Sequence, residues 1–247
     1  MIQKIEKISM NAWPAFETQE YDGWVLRFAD GVTKRSNSVN PLYGSTIDIK
    51  DKIEYCEELY DSRNIPICFK ITKDSYPKEL DMLLSKIGYV SIATTSVQVI
   101  NLKHLGFKTD KNVSVKDEID NMWMEYSMKM NEIDESKRLP ISRIIDHISL
   151  KKGLFTLKKD GDVIGCGLGV LEGKYVGLFD IVIDKKHRDR GFGKLLVENI
   201  LKWGKFNGVE QGYLQVLTDN EPAKRVYSRI GFREIYKYWY KIKQENK

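Results

Sequence analysis

Cysteine is scarce, with three residues (Cys56, Cys68, Cys166) widely spaced and no CxxC pair. That pattern excludes a disulfide framework and a cysteine-based zinc site, and it fits a reducing cytoplasm. Histidine is as rare, and His104 and His147 have no partner at ligand spacing, so no metal is expected. No stretch approaches the length of a membrane span, about 18 consecutive apolar residues, and the opening MIQKIEKISMNAW lacks the uninterrupted apolar segment of a signal peptide. A dominant charge is missing too. Forty Lys+Arg against 35 Asp+Glu leave +5 with both signs interspersed, and no basic stretch carries interleaved aromatics, which speaks against a nucleic-acid partner. GxxxxGK[ST] is absent, so a Walker loop is excluded. What remains is a 247-residue chain with 42% hydrophobic and 11% aromatic residues, enough to build one large core or two small ones.

The first half opens as a hairpin, Gly23–Phe28 and Ser36–Val39 around an Asp30-Gly31 turn. Apolar spacing predicts a helix from Ile49 to Tyr60, a strand from Ile65 to Thr72, a helix after Pro77 that stops at Gly88, and a strand from Thr94 to Leu102. The polar stretch Lys108–Asp120 is the expected boundary between halves. Helices are predicted over Val115–Met130 and Ile141–Leu150. Short polar gaps then set a three-stranded meander, Leu154–Lys158, Val163–Leu171 and Tyr175–Asp184. After it come a helix from Gly193, a strand at Gly212–Leu217, a helix at Glu221–Ile230 stopped by Gly231, and a strand at Phe232–Ile242. SKIGY (Ser85–Tyr89) and SRIGF (Ser228–Phe232) occupy matching places, which suggests two related βαβ units.

Between the meander and its following helix stands HRDRGFGK, His187–Lys194. A loop that enters a helix exposes unpaired amides at the positive end of the dipole, and glycine lets the backbone approach an anion. Arg188, Arg190 and Lys194 add charge suited to a ligand with several phosphates. The run lacks the third glycine of the dinucleotide fingerprint. GCGLG, Gly165–Gly169, sits inside a predicted strand, where glycines allow a bulge or close packing, and is assigned no cofactor.

From about Val113 onward, the RDRGFG loop and the later Asn220, Ala223, Tyr227, Gly231 and Phe232 fit [RQ]xxGx[GA] and NxxAxxxYxxxGF. This half resembles the GCN5-related N-acetyltransferase (GNAT) superfamily. The resemblance implies a mixed-sheet α/β (α+β) fold and acetyl-CoA as cosubstrate. It implies that Arg188, Asp189, Arg190, Gly191, Phe192, Gly193 and Lys194 hold the pyrophosphate, that Ile181, Val182 and Ile183 line the thioester, and that Asn220 and Ala223 contact the pantetheine arm or order their helix. Residues 1–112 look like the degenerate first copy of tandem members, without the RxxGxG motif. They are expected to bind no acetyl-CoA and to serve as scaffold and pocket wall, with residues 113–247 as the catalytic domain.

Acetyl transfer needs a neutral amine, oxyanion stabilisation and a proton for the leaving thiolate. Asp180 interrupts the apolar run VGLFDIVI and is the candidate base; the alternative is a structural or solvent-facing aspartate. Tyr227 is the candidate general acid; the alternative is a core tyrosine. Glu132 and Asp134 are candidates for recognising a cationic amine, and Arg35 and Asn37 for facing the pocket; ordinary polar roles stand beside both. The expected activity is acetyl transfer to a primary amine of a small molecule or peptide by direct attack on the thioester. The alternative is an inactive acetyl-CoA-binding sensor or partner module. No membrane partner is expected, and a homodimer is left open.

Overall fold

In the computed structural model, which describes residues 1–103, 105–106 and 110–243, the chain begins α1 (Ile2–Ala12), β1 (Glu17–Tyr21), β2 (Trp24–Phe28), β3 (Val39–Pro41), α2 (Ile49–Asp61), β4 (Cys68–Thr72), α3 (Leu80–Lys86) and β5 (Tyr89–Asn101). It continues β6 (Val113–Lys116), α4 (Asn121–Asn131), α5 (Arg138–Asp146), β7 (Lys152–Lys159), β8 (Asp162–Glu172), β9 (Tyr175–Ile183), α6 (Phe192–Phe206), β10 (Gln211–Leu217), α7 (Glu221–Ile230) and β11 (Arg233–Lys243). The chain packs as two compact units, Met1–Ser96 with the segment from Tyr236 onward, and Val97–Ile235. The division falls upstream of the Lys108–Asp120 stretch expected to separate the halves, and it returns most of β11 to the first unit.

In the first unit, β1 and β2 join through the two-residue turn Asp22-Gly23, and β2 pairs antiparallel with β3. β3 meets β4 in parallel at Val39↔Phe69, and β11 runs antiparallel to β4 from Tyr238↔Thr72 to Ile242↔Cys68. Alternation along the strands sends Trp24, Leu26, Phe28, Phe69 and Ile71 to one core, where they meet Ile53, Cys56 and Tyr60 of α2 and Leu80 and Leu84 of α3. α1 buries Glu6, which accepts hydrogen bonds from Lys70 Nζ (2.5 Å) and Tyr236 Oη (2.6 Å). A buried carboxylate persists only with such partners.

In the second unit, β6 to β9 form an antiparallel series and β10 joins β9 in parallel. Leu196, Val197, Ile200 and Leu201 of α6 are fully buried against Leu157, Ile164, Val176 and Leu214, each contributing about 1.5–3 kcal/mol of burial. Gly167 and Gly169 make that approach possible, since a Cβ there would lie 3.1 Å from Ile200 Cδ1 and 2.9 Å from Ile200 Cγ2; Gly165 instead makes room for β9, where a Cβ would lie 2.6 Å from Ile183 Cδ1.

Three expectations are corrected. Val113–Lys116 is a strand paired with β7, and the helix expected from Val115 begins at Asn121, where Asp120 accepts from Trp123 N at 2.6 Å as its cap. Ser36–Ser38 turns before β3 begins, because the Asn37 side chain bonds Ala29 N, Gly31 N, Ala29 O and Thr33 O and holds the chain in a loop. The second short helix spans Arg138–Asp146 and ends before Leu150. α1 and β1, which sequence periodicity left unassigned, complete the first unit.

Candidate active site

The segment after β9 is built to leave its amides open. Asp184 accepts from Lys186 N at 2.8 Å and starts a short 3-10 turn over Lys185–His187. Asp189 and Gly191 then take left-handed φ of 58° and 83°, a geometry glycine adopts without strain. α6 makes its first backbone bond from Leu195 N to Gly191 O at 3.1 Å, and no side chain caps Gly191. Among the described residues, the amides of Asp189 through Lys194 therefore find no protein acceptor. They lie at the positive end of a 15-residue helix. A Cβ on Gly191 would meet nothing within 4 Å, so the space beside these amides is open. Arg188 is tethered by Nε to Ile183 O (3.0 Å), Lys194 Nζ lies 3.4 Å from Glu198, and Arg190 is exposed without a protein partner among the described residues. This donor set fits a pyrophosphate.

β9 carries an irregularity that sequence did not reveal. Cys166 pairs with Val182 but Leu168 with Phe179, so β9 holds one residue more than β8 across this step. The extra residue falls at Asp180–Ile181, and Asp180 itself has φ 48°. Bulges and strained backbone of this kind re-aim peptide groups. On the other side, β9 and β10 pair from Tyr175↔Gln211 to Leu178↔Leu214, and both strands continue beyond. Asp184 N–H bonds Ile164 O on the β8 side (2.9 Å). By alternation the Ile183 amide points the opposite way, to the edge where pairing with β10 has stopped. Val182 is buried, whereas Asp180, Ile181 and Ile183 are half-buried.

α7 owes its place to its ends. Asn220 Oδ1 accepts from Ala223 N at 3.2 Å, Pro222 follows in the first turn, and Gly231 closes the helix at φ 111°. Asn220 is thus a capping residue, and Ala223 packs half-buried on the core. Asn220→Ala is expected to cost about 1 kcal/mol and to lower Tm by roughly 2–4 °C; an unchanged melting curve would mean that the Asn220 side chain does not stabilise α7. One turn further, Tyr227 is 9% exposed with its ring 5.8 Å from Phe232. Burial alone pushes its phenol up to about 12, and its hydroxyl has no hydrogen-bond partner among the described residues. The phenol therefore stays protonated across the neutral range.

Other candidates are engaged elsewhere. Glu132 ends α4 in a left-handed conformation and pairs with Lys185, and Asp134 caps the turn at Ser136. Arg35 stacks on Trp13 at 4.1 Å, and Asn37 holds its loop. His147 Nδ1 lies 2.7 Å from Arg143 O, and His104 falls outside the described residues. No cluster of potential metal ligands occurs among the described residues. Sequence reasoning missed Lys159: its Nζ lies 5.8 Å from the centroid of the Phe192 ring, which the His187 ring of the same loop approaches at 6.2 Å. The only signal was the Asp160-Gly161 turn, which brings Lys159 back to the loop.

Residues 1–241 match the protein family described as "Probable histone acetyltransferase Rv0428c C-terminal". The "Uncharacterized N-acetyltransferase YobR" of Bacillus subtilis is 28% identical over 251 residues, covering 98% of this chain and 99% of that protein. The "Probable histone acetyltransferase Rv0428c" of Mycobacterium tuberculosis is 24% identical over 249 residues, covering 94% of this chain and 70% of that one. Among solved structures, a GCN5-related N-acetyltransferase from Kribbella flavida has the same fold, with a TM-score of 0.74 at 11% identity, covering 99% of this chain and 96% of that chain. No helix among the described residues is long and apolar enough to cross a membrane. The mixed-sheet α/β fold, the match along nearly the whole sequence and the open loop after β9 lead to one assignment: the chain belongs to the Rv0428c C-terminal family of GNAT-type acetyltransferases.

Proposed function

We propose that the chain transfers the acetyl group of acetyl-CoA to a primary amine of a small molecule or peptide by direct attack on the thioester. The observation that carries this reading is the run of unsatisfied amides from Asp189 to Lys194 at the start of α6, beside a strand that bulges at Asp180. In this reading Arg188–Lys194 hold the pyrophosphate through their amides, with Arg188, Arg190 and Lys194 adding charge. Acetyl-CoA supplies the activated acyl group.

The chain's own residues then have separable tasks. The Ile183 amide, turned to the unpaired edge of β9, donates to the carbonyl oxygen as negative charge develops there. Asp180, held in the bulge, accepts the proton that the attacking nitrogen loses, directly or through water. A primary amine of ordinary pKa, about 10.4, is neutral in only about one molecule per thousand at pH 7, so the step needs such an acceptor. As the C–N bond forms and the C–S bond breaks, Tyr227 donates its O–H to the departing sulfur. A phenol near 12 is a weaker acid than a thiol of about 8.5. Its contribution is therefore hydrogen-bond donation, and complete transfer to sulfur is coupled to the proton released by nitrogen. Asn220 orders α7 so that Tyr227 is held in register.

The first unit is proposed to be a degenerate copy that binds no acetyl-CoA. The relative from Mycobacterium tuberculosis and an "N-alpha-acetyltransferase" of Sulfurisphaera tokodaii, 24% identical over 122 residues, carry names that point to protein amines. Peptide acceptors therefore belong in the screen beside small amines. The test is a thiol-release assay over diamines, amino sugars, lysine peptides and peptides with free N-termini, with mass detection of the acetylated product. Acetylation of at least one class, rising with pH as the neutral amine fraction grows, is the expected result. Acetyl-CoA binding without transfer to any class would favour the sensor reading.

A further inference from the structure

The two units share an element order: a three-stranded meander, a helix, a parallel strand and a second helix. The loop that enters the first of those helices ends differently in each. Counted from the helix N-cap, Asp48 for α2 and Gly191 for α6, Thr46 and Ile47 stand where Asp189 and Arg190 stand, and Lys50 where Gly193 stands. In the second unit those three amides have no protein acceptor among the described residues. In the first unit carboxylates take all three. Asp22 accepts from Thr46 N at 2.9 Å and Ile47 N at 2.9 Å, and Asp48 accepts from Lys50 N at 2.8 Å.

Asp22 is held by more than amides. Ser45 Oγ (2.7 Å) and Thr46 Oγ1 (2.9 Å) donate to it, and Lys52 Nζ lies 3.1 Å from Oδ2. The Lys52 side chain is fully buried, donates also to Asp22 O (2.5 Å) and Ser45 Oγ (2.7 Å), and sits 4.2 Å from the Trp24 ring centroid. Two amides, two hydroxyls and a buried ammonium make the donor set of an oxyanion site. These bonds hold the Asp22 carboxyl well below the usual carboxylate range, with the Ile47 amide and the Ser45 hydroxyl as leading causes.

The hairpin turn delivers the carboxylate. Asp22 and Gly23 take φ of 41° and 81°, as a two-residue Asp-Gly turn requires. Gly23 is pressed against the loop: a Cβ there would lie 2.1 Å from Gly44 O, and Tyr43 N donates to Gly23 O at 3.0 Å. The matching turn of the second unit, Asp160-Gly161, has the same left-handed pair at 52° and 95°. It does not dock. A Cβ on Gly161 would meet nothing within 4 Å, and the Asp160 carboxylate has no protein partner among the described residues.

We propose that the loop between β3 and α2 is a second anion cradle whose ligand is the chain's own Asp22 carboxylate, so that the first unit is liganded internally and closed to a coenzyme phosphate. The correspondence between loops rests on the reading of Arg188–Lys194 as the cofactor loop; the internal liganding by Asp22 does not.

The test compares Asp22→Gly, which keeps the left-handed turn and vacates the site, with Asp22→Asn, which fills it without charge. Melting is followed in a chloride buffer with and without inorganic phosphate or acetate at tens of millimolar. Asp22→Gly is expected to lower Tm by roughly 6–12 °C, and either anion to recover about half of that loss beyond its effect on the wild type. Asp22→Asn is expected to be destabilised and not recovered. If anions shift Asp22→Gly no more than wild type, the loop is not an anion cradle and the proposal falls. Carbon NMR of the wild-type protein keeps the idea testable where the variants do not fold. The Asp22 carboxyl signal should hold steady down to about pH 3, and a titration at the ordinary aspartate value would overturn the assignment. A wild type that binds no acetyl-CoA beside an Asp22→Gly variant rescued by phosphate removes the proposed function and leaves this cradle standing.

Discussion

Replacing Gly191 with valine is expected to weaken acetyl-CoA binding by about 100-fold or more, with the protein still folded at room temperature. Two effects combine. A β-branched residue at φ 83° is strained by about 1–3 kcal/mol, which should lower Tm by roughly 2–10 °C. The larger effect concerns the open space at Gly191, where a Cβ meets no protein atom and where the valine side chain would stand against an incoming phosphate. Losing two charge-assisted amide contacts at about 1.5–3 kcal/mol each accounts for the factor of 100. Gly191→Ala separates the terms, since it carries much of the backbone strain with less bulk. Calorimetric titration of both variants, checked by circular dichroism, reads the result. A valine variant that binds like wild type would show that the loop amides do not hold the cofactor.

Tyr227→Phe is expected to lower kcat by about 100- to 1000-fold while acetyl-CoA affinity changes by less than about threefold. The ring is buried against Phe232 and the phenylalanine keeps that packing. The hydroxyl has no protein partner among the described residues, so its removal should leave Tm unchanged or slightly raised. A tyrosine with a purely structural role would give the opposite pattern, a shifted Tm with kcat intact. The pH profile supplies a second reading. With the phenol pushed up to about 12, Tyr227 remains a donor throughout the ordinary assay range, and kcat should show no alkaline decline that the Phe variant abolishes. An alkaline limb between about pH 8 and 10 that disappears in Tyr227→Phe would mean a phenol acidified in the complex and would contradict the donor role argued from its burial.

Much of the second unit was legible in the sequence because its signals are local. NEPAKRVYSRIGF carries a cap, a proline in the first turn and a left-handed glycine stop, and α7 occupies the expected residues. The meander was readable from its short polar gaps, and HRDRGFGK from its glycines at a helix start. Where a feature depends on a partner far along the chain, the sequence was silent or misleading. VSVK is too short a run to separate strand from helix by period, and pairing with β7 decided for the strand. The bulge at Asp180 arises from a register step against Cys166 and Leu168 of β8 and has no local signature in FDIV. Glu132 read as a free acidic group until the fold placed Lys185 beside it. The Asp22-Gly23 pair announces a turn; only the folded unit shows that its carboxylate enters the loop ahead of α2.

Asp189–Lys194, and no other part of the chain, is proposed to form the cradle for acetyl-CoA. Isothermal titration of the wild-type protein with acetyl-CoA tests it most directly. The predicted result is one saturable site per chain, lost in Gly191→Val and retained in Tyr227→Phe. Absence of binding by the folded wild type would contradict the cradle itself, and two equivalent sites would contradict the closure of the first unit by Asp22.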